Sequence, residues 1–287
     1  MDDFRLGAVP YLNARPLVAY LEQPQCATKV TVCYDTPAML AAGLRLGHYR
    51  LALVSSYEAL ARPNLQFVPD ISISTRAEVK SVRLFSKKPF EKIETLALDS
   101  GSLTSAHLAQ ILLAELYDVV PMVCNEEPDL QRMLERNDAC VLIGDIGMWS
   151  DGTGLHVMDL GHAWAELTGL PFVWAAWIGE PGISPELIRL LQEAKRWGLH
   201  AVNALAEQHA REHGRNPAAC RDYLGRIMDY DLTRAHLDGI ELFQALLLKH
   251  GIIEHLYPVT VAPMSGHGDA GHRTFEGIAP GSAQRPS

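Results

Sequence analysis

Short, neutral hydrogen-bonding side chains recur in this chain where a strand should hand over to a helix. "FRLGAV" is followed by "PYLN", which carries Tyr11 and Asn13, with Arg15 just beyond. "RLALV" is followed by "SSYE", with Ser55 and Ser56, and "TLALD" by "SGSLTS", with Ser102, Thr104 and Ser105. Ser81 precedes Val82 in the extended run "SVRLFS", and Asp145 follows "CVLIG". A helix N-terminus offers free backbone N–H groups and a positive dipole end, and short hydroxyls and amides add donors there. Together they suit a carboxylate or phosphate. Any one of these residues is explained equally well as a helix cap. Their recurrence at five places points to an anionic ligand. Asn13 poses the choice most sharply, because it stands where the first helix should begin.

The elements that must position these turns are legible. Strand-like runs alternate with helical ones, which predicts α/β architecture with largely parallel sheets. Such sheets bind ligands at the carboxyl ends of their strands. "TPAMLAAGLRLG" has Thr36 as N-cap, Pro37 in the first turn and Gly47 as stop. Leu108, Ile111, Leu112 and Leu116 repeat at helical spacing. From Ser184 to about Gly251 the pattern is almost all helical. Leu187, Leu191, Ala194, Trp197, Ala201 and Leu205 form one face of a single long helix, and a second helix runs from the Thr233 cap to Gly251. "KSVRLFSKKP" and "LPFVWAAWIG" read as two extended crossings. This predicts a first lobe of residues 1–88 plus 175–262 and an inserted lobe of 89–174, with the ligand in the cleft between them. Residues 263–287 are rich in Gly, Pro and Ser and aperiodic, and are expected to be disordered.

Composition narrows the class. The chain has 287 residues, 48% of them hydrophobic, and a net charge of −9. No basic stripe interleaved with aromatics marks a nucleic-acid surface. No apolar run reaches the roughly 18 residues of a membrane span. "MDDFRLG" lacks the basic and apolar regions of a secretory leader, and five cysteines without a CxxC pair suit a reducing compartment, so a cytoplasmic protein is expected. There is no phosphate loop, no complete dinucleotide fingerprint in "DGTGLH", and no GxSxG or SxxK nucleophile motif. His209 and His213 lie four apart without forming HExxH, and a solvated helix face is the simpler reading. Cys33 and Cys140 fall in strand runs and read as packing residues. The aromatics of "LPFVWAAW" read as core, and Lys80, Arg83, Lys87 and Lys88 as an exposed strand face.

Seven motifs then converge. "YLNARPL", "ALVSSYE", "SVRLFSKKP", "LALDSGSLTSAHLAQILL", "LIGDIGM", "DLGHAWAELTGLPFVWAAW" and "MDYDL" stand in the order and at the spacing of the menaquinone-biosynthesis chorismate dehydratases. The chain resembles that family over about residues 4–257. One departure is Gly147 in "GDIGM", where alanine is expected; glycine should loosen the turn after Asp145. The resemblance implies a fold like that of type II periplasmic binding proteins, with two α/β lobes and a cleft. It implies loss of water from chorismate, with no cofactor and no metal. Asn13, Ser81 and Asp145 are then candidates for the chemistry. Tyr11, Arg15, Ser55, Ser56, Ser102, Thr104 and Ser105 are candidates for holding the substrate. The base is either Asp145 or the substrate's own enolpyruvyl carboxylate; with no obvious His or Lys base in the shared motifs, the reading leans to the substrate. Alternatives are an enzyme resembling the dihydroxynaphthoate synthase of the same pathway, a solute-binding protein, or a detached effector domain of a transcription regulator.

Overall fold

In a computed structural model of the chain, residues 4–26, 29–99 and 103–264 are described. Two mixed β-sheets carry the architecture. The first contains β1 (Phe4–Ala8), β2 (Val30–Tyr34), β3 (Leu51–Ser55), β4 (Gln66–Phe67), β5 (Ile73–Thr75), β11 (Phe172–Gly179) and β12 (Thr260–Val261). Its order is β12–β4–β11–β3–β1–β2, with β5 also paired to β11. The second contains β6 (Arg83–Ser86), β7 (Thr95–Asp99), β8 (Met122–Glu126), β9 (Ala139–Leu142) and β10 (His156–Asp159), in the order β10–β6–β9–β7–β8. β1 runs parallel to β2 and β3, and β7 parallel to β8 and β9. β11 is antiparallel to β3, β4 and β5, and β6 to β9 and β10. The sheets are therefore less parallel than the alternating pattern predicts.

The pairing also moves the expected crossings. β6 is bonded to β9 in the second sheet, so the chain changes lobe within 76–82 and not at 88/89. It returns before Phe172 and not at 174/175, through α7 (Leu160–Thr168), which leads into the extended segment expected at 170–179. The Asp159 carboxylate ties the two crossings together. It accepts from the Val79 and Lys80 backbone N–H groups at 3.0 and 2.7 Å and caps α7 through the His162 N–H at 3.0 Å. Lys80 takes a left-handed conformation there, with φ 59°.

The first-lobe helices are α1 (Arg15–Val18), α2 (Pro37–Arg45) and α3 (Tyr57–Leu60); the second lobe has α4 (Leu103–Tyr117), α5 (Leu130–Arg136) and α6 (Gly144–Trp149). Thr36 caps α2 through the Met39 N–H at 3.3 Å, as its sequence predicts. The helical layer has α8 (Pro185–His200), α9 (Val202–His213), α10 (Pro217–Asp222) and α11 (Arg234–Lys249). The expected single helix through Leu205 is broken at Ala201, where φ is −90° and ψ 5°. The break turns α9 against α10 and sends Leu205, Ala206 and His209 inward. A large apolar core runs through both lobes, and a smaller separate cluster around Phe85, Met133 and Cys140 lies in the second. Trp164, Phe172 and Phe243 meet edge to face in the large core, with centroids 5.1 Å apart for Trp164–Phe172 and for Phe172–Phe243. Burial of each such ring is worth about 1.5–3 kcal/mol. Among the described residues no helix is long and apolar enough to cross a membrane.

Candidate functional site

A cleft of about 640 Å³, part of it open to solvent, lies between the lobes. Its first-lobe wall is the turn after β1. Tyr11 opens a 3-10 turn over Leu12–Ala14 whose flanking side chains, Leu12 and Ala14, are buried in the core. That anchoring leaves Asn13 facing the cleft. Asn13 caps nothing: the turn and α1 have no side-chain cap. Its backbone carbonyl accepts from the Tyr230 hydroxyl at 3.0 Å, while its side-chain Oδ1 is buried without a hydrogen-bond partner. A buried acceptor left open costs on the order of 1–3 kcal/mol, and this one belongs to a side chain that lines the cleft.

Four hydroxyls join Asn13 at the cleft: Ser55 from the end of β3, Ser81 from the first crossing, and Thr104 and Ser105 from the first turn of α4. The Ser55 and Thr104 hydroxyls bond each other across the lobe boundary, and the Tyr57 N–H reaches Thr104 Oγ1 at 3.4 Å. Behind them the His107 ring lies 4.4 Å from that of Tyr57. Burial pushes the His107 pKa down to about 4, so this second interlobe contact is made by a neutral imidazole. The remaining wall is apolar and includes Leu53, Ile73, Val79, Ile143 and Trp174, whose indole donates to Thr75 Oγ1 at 3.2 Å.

The floor comes from the turn between β9 and α6. Gly144 is left-handed, with φ 57°, and the Tyr11 ring packs on it. Burial, with the Asp99 and Asp145 charges, pushes the Tyr11 phenol up to about 12. Gly147 does not loosen this turn, as its departure from alanine suggested. A Cβ there would fall 2.6 Å from the Leu142 carbonyl oxygen and closer still to that of Ser81. Glycine lets α6 press against the crossing that carries Ser81. Arg83, expected on an exposed face, instead caps the end of α6 through the carbonyls of Gly147, Met148 and Ser150. Lys80, Lys87 and Lys88 do stand at the surface, where they meet Asp222, the Leu134 carbonyl and Asp138.

Three expected site residues lie elsewhere. Ser56 turns away and donates to the Val173 carbonyl at 2.7 Å, joining the end of β3 to β11. Arg15 points to the outer face, where Glu22 holds it at 2.8 Å and the Tyr34 hydroxyl at 3.0 Å. Asp145 is directed away from the cleft, with an oxygen 3.4 Å from His209 Nε2. His209 is correspondingly not on a solvated face: it is 5% exposed, and burial holds its pKa below the usual histidine value. Ser102 and the tail from 265 fall outside the described residues. The sequence reading missed Tyr223, whose hydroxyl donates to Ser81 Oγ at 2.7 Å, and the contribution of Tyr230. Tyr230 lies within the "MDYDL" motif, which was the one available signal; Tyr223 carried none.

None of the described lining residues is Lys or Arg. An anion here meets hydroxyls, an amide and the N-terminus of the 15-residue α4, a set of dipoles that binds negative charge without a buried cation. Among the described residues no grouping of three or more His, Cys, Asp or Glu could hold a metal ion.

Two α/β sheets crossed twice by the chain, with a cleft between them, define the type II periplasmic-binding-protein fold. The Escherichia coli periplasmic aliphatic sulphonate binding protein shares it at 14% identity, with a TM-score of 0.60 over 99% of this chain and 98% of that one. A protein of Archaeoglobus fulgidus shares it at 13% identity, with a TM-score of 0.69 over 88% and 98%. Residues 4–249 match a family model described as menaquinone biosynthesis. The chorismate dehydratase of Thermus thermophilus is 31% identical over 267 residues, covering 86% of this chain and 96% of that protein. The chain belongs to the menaquinone-biosynthesis family.

Proposed function

We propose that the protein is a chorismate dehydratase, a carbon–oxygen lyase that removes water from chorismate to give 3-(1-carboxyvinyloxy)benzoate. The observation that carries the site assignment is the open Asn13 Oδ1 in a cleft ringed by Ser55, Ser81, Thr104 and Ser105. Chorismate has two carboxylates, and donors from both lobes are what such a ligand needs. Thr104, Ser105 and the α4 N-terminus hold one of them, in exchange for the bond that Thr104 makes with Ser55.

The proton to be lost sits on the ring carbon bearing the ether, in vinylogous conjugation with the ring carboxylate. Hydrogen bonds to that carboxylate stabilise the carbanion as it develops. The neighbouring hydroxyl then leaves, oriented by Asn13 and Ser81, and aromatisation supplies the driving force. Rearrangement and pyruvate loss compete, and a fixed conformer in an apolar cleft suppresses both. The base is the substrate's own enolpyruvyl carboxylate. Asp145, the alternative, faces His209 and does not line the cleft. The reaction asks for no cofactor or metal. Cytoplasmic placement goes with five cysteines that are all free thiols.

Purified protein incubated with chorismate should change its ultraviolet absorbance and yield a product one water lighter, with turnover unaffected by exhaustive chelation. Binding of chorismate without loss of water would return the protein to the solute-binding class.

A further inference from the structure

Tyr223 is fully buried at the start of the single π-turn among the described residues, Tyr223–Ile227, closed by the Met228 N–H on the Tyr223 carbonyl at 3.0 Å. Its phenol lies between the two polar groups at the base of the cleft. It is 2.7 Å from Ser81 Oγ, and the Asn13 side chain bears on the same oxygen. One residue earlier in each segment, Lys80 Nζ reaches Asp222 at 3.2 Å. The pairs 80–222 and 81–223 thus hold the crossing in register on the helical layer.

A pair of hydroxyls can bond in either direction. The phenol is the stronger acid and the weaker acceptor, and burial keeps it protonated, so the hydrogen between the two oxygens belongs to tyrosine. Ser81 then accepts, and its own hydrogen finds no acceptor among the described residues. The one direction left for that hydrogen is the cleft that Ser81 lines. Serine alone would be a free rotor able to offer a lone pair or a hydrogen. Under tyrosine one of its two lone pairs is taken and its hydrogen is turned toward the cleft.

We propose that Tyr223 is a positioning residue that turns the Ser81 hydroxyl hydrogen into the cleft, where an acceptor atom of the substrate meets it. The inference rests on the reading of Ser81 as a substrate contact. It requires no contact between Tyr223 and substrate, and Tyr223 does not line the cavity.

The test is a double-mutant cycle on chorismate turnover. Tyr223→Phe should lower kcat by about 3–10-fold, the scale of one hydrogen bond, with KM within about twofold. In a Ser81→Ala background the same change should alter kcat by less than about twofold, because the phenol then has nothing to orient. A purely structural tyrosine would cost the same in both backgrounds. Should Tyr223→Phe fail to fold, 4-aminophenylalanine and 4-methylphenylalanine at position 223 fill the same space with and without a donor. The first should retain turnover and the second lose it. Wild-type kcat in Tyr223→Phe, or equal losses in both backgrounds, overturns the inference and leaves the dehydratase reading intact. Wild-type kcat in Ser81→Ala overturns the inference together with the Ser81 contact. A wild-type protein that leaves chorismate unchanged overturns the functional reading itself, and this is seen before any variant is made.

Discussion

On one side of the turn after β1, Asn13 faces Ser55, Ser81 and Thr104 in a cleft whose described lining holds no Lys or Arg. On the other side, two residues along, Arg15 is held by Glu22 and Tyr34 in an outer pocket shared with His209, Glu212 and His213. The charged side is closed on itself: its cation already has its anion. The neutral side is left open, with an acceptor that nothing in the protein satisfies. A fixed cation in an enclosed apolar cleft would carry a desolvation cost of several kcal/mol. Oriented dipoles avoid that cost and still favour an anion. The hydroxyls and the α4 N-terminus suit an anion and the open Asn13 oxygen suits a donor such as a hydroxyl, groups that composition and charge counts overlook.

The sharpest way to break this contrast is Asn13→Asp. The change is isosteric and removes no cap, since Asn13 makes none. It puts an anion into a site meant for anions. Turnover should fall by about 10²–10³-fold, the scale of a like-charge juxtaposition costing several kcal/mol. Wild-type rates with an unchanged melting temperature would reassign Asn13 to the scaffold.

Acid probes the interlobe contact behind the cleft. The His107 pKa is lowered in the folded protein to about 4 by burial, against about 6.5 for an ordinary histidine. The unfolded chain therefore binds the proton first. The stability that neutral His107 allows is complete above about pH 6.5 and falls away as pH drops toward 4, by up to about 3 kcal/mol. Denaturant melts across this window should show the loss, and His107→Gln should flatten it. A slope unchanged by the substitution would assign the acid limb to other groups.

Thr104→Val comes next. It keeps the shape of the α4 first turn and removes the hydroxyl shared by Ser55 and the Tyr57 N–H. Chorismate affinity should weaken by about 1–3 kcal/mol. Unaltered KM and kcat would make Thr104 an interlobe tie and nothing more. The smallest effect belongs to the outer side. Arg15→Gln removes a partly exposed ion pair, worth at most about 1 kcal/mol of stability, and should change turnover by less than about threefold. A large loss of turnover would put Arg15 back among the substrate contacts.

Much of the cleft was legible before folding because its signals are local. A strand, a short polar turn and a helix start are written within ten residues, and Asn13, Ser55, Thr104 and Ser105 were found that way. Thr36 announced its helix for the same reason. Residues that the same rule selected and the fold excluded are also instructive. Ser56 is adjacent to Ser55, and a strand end sends neighbours to opposite faces. Arg15 and Asp145 sit in helices of four and six residues, too short for an apolar period to show which way each points.

The sequence by itself determined that this is an α/β chain whose turns present hydroxyls and an amide at strand ends, because capping, periodicity and turn chemistry act over a few residues. Only the tertiary structure decided where the chain crosses between lobes, since a buried strand such as β6 reads the same in either sheet. It alone decided that the expected long helix breaks at Ala201 and carries His209 to Asp145. It also brought Tyr223 to Ser81 from 142 residues away. A buried tyrosine looks like any core aromatic until packing shows what its hydroxyl meets.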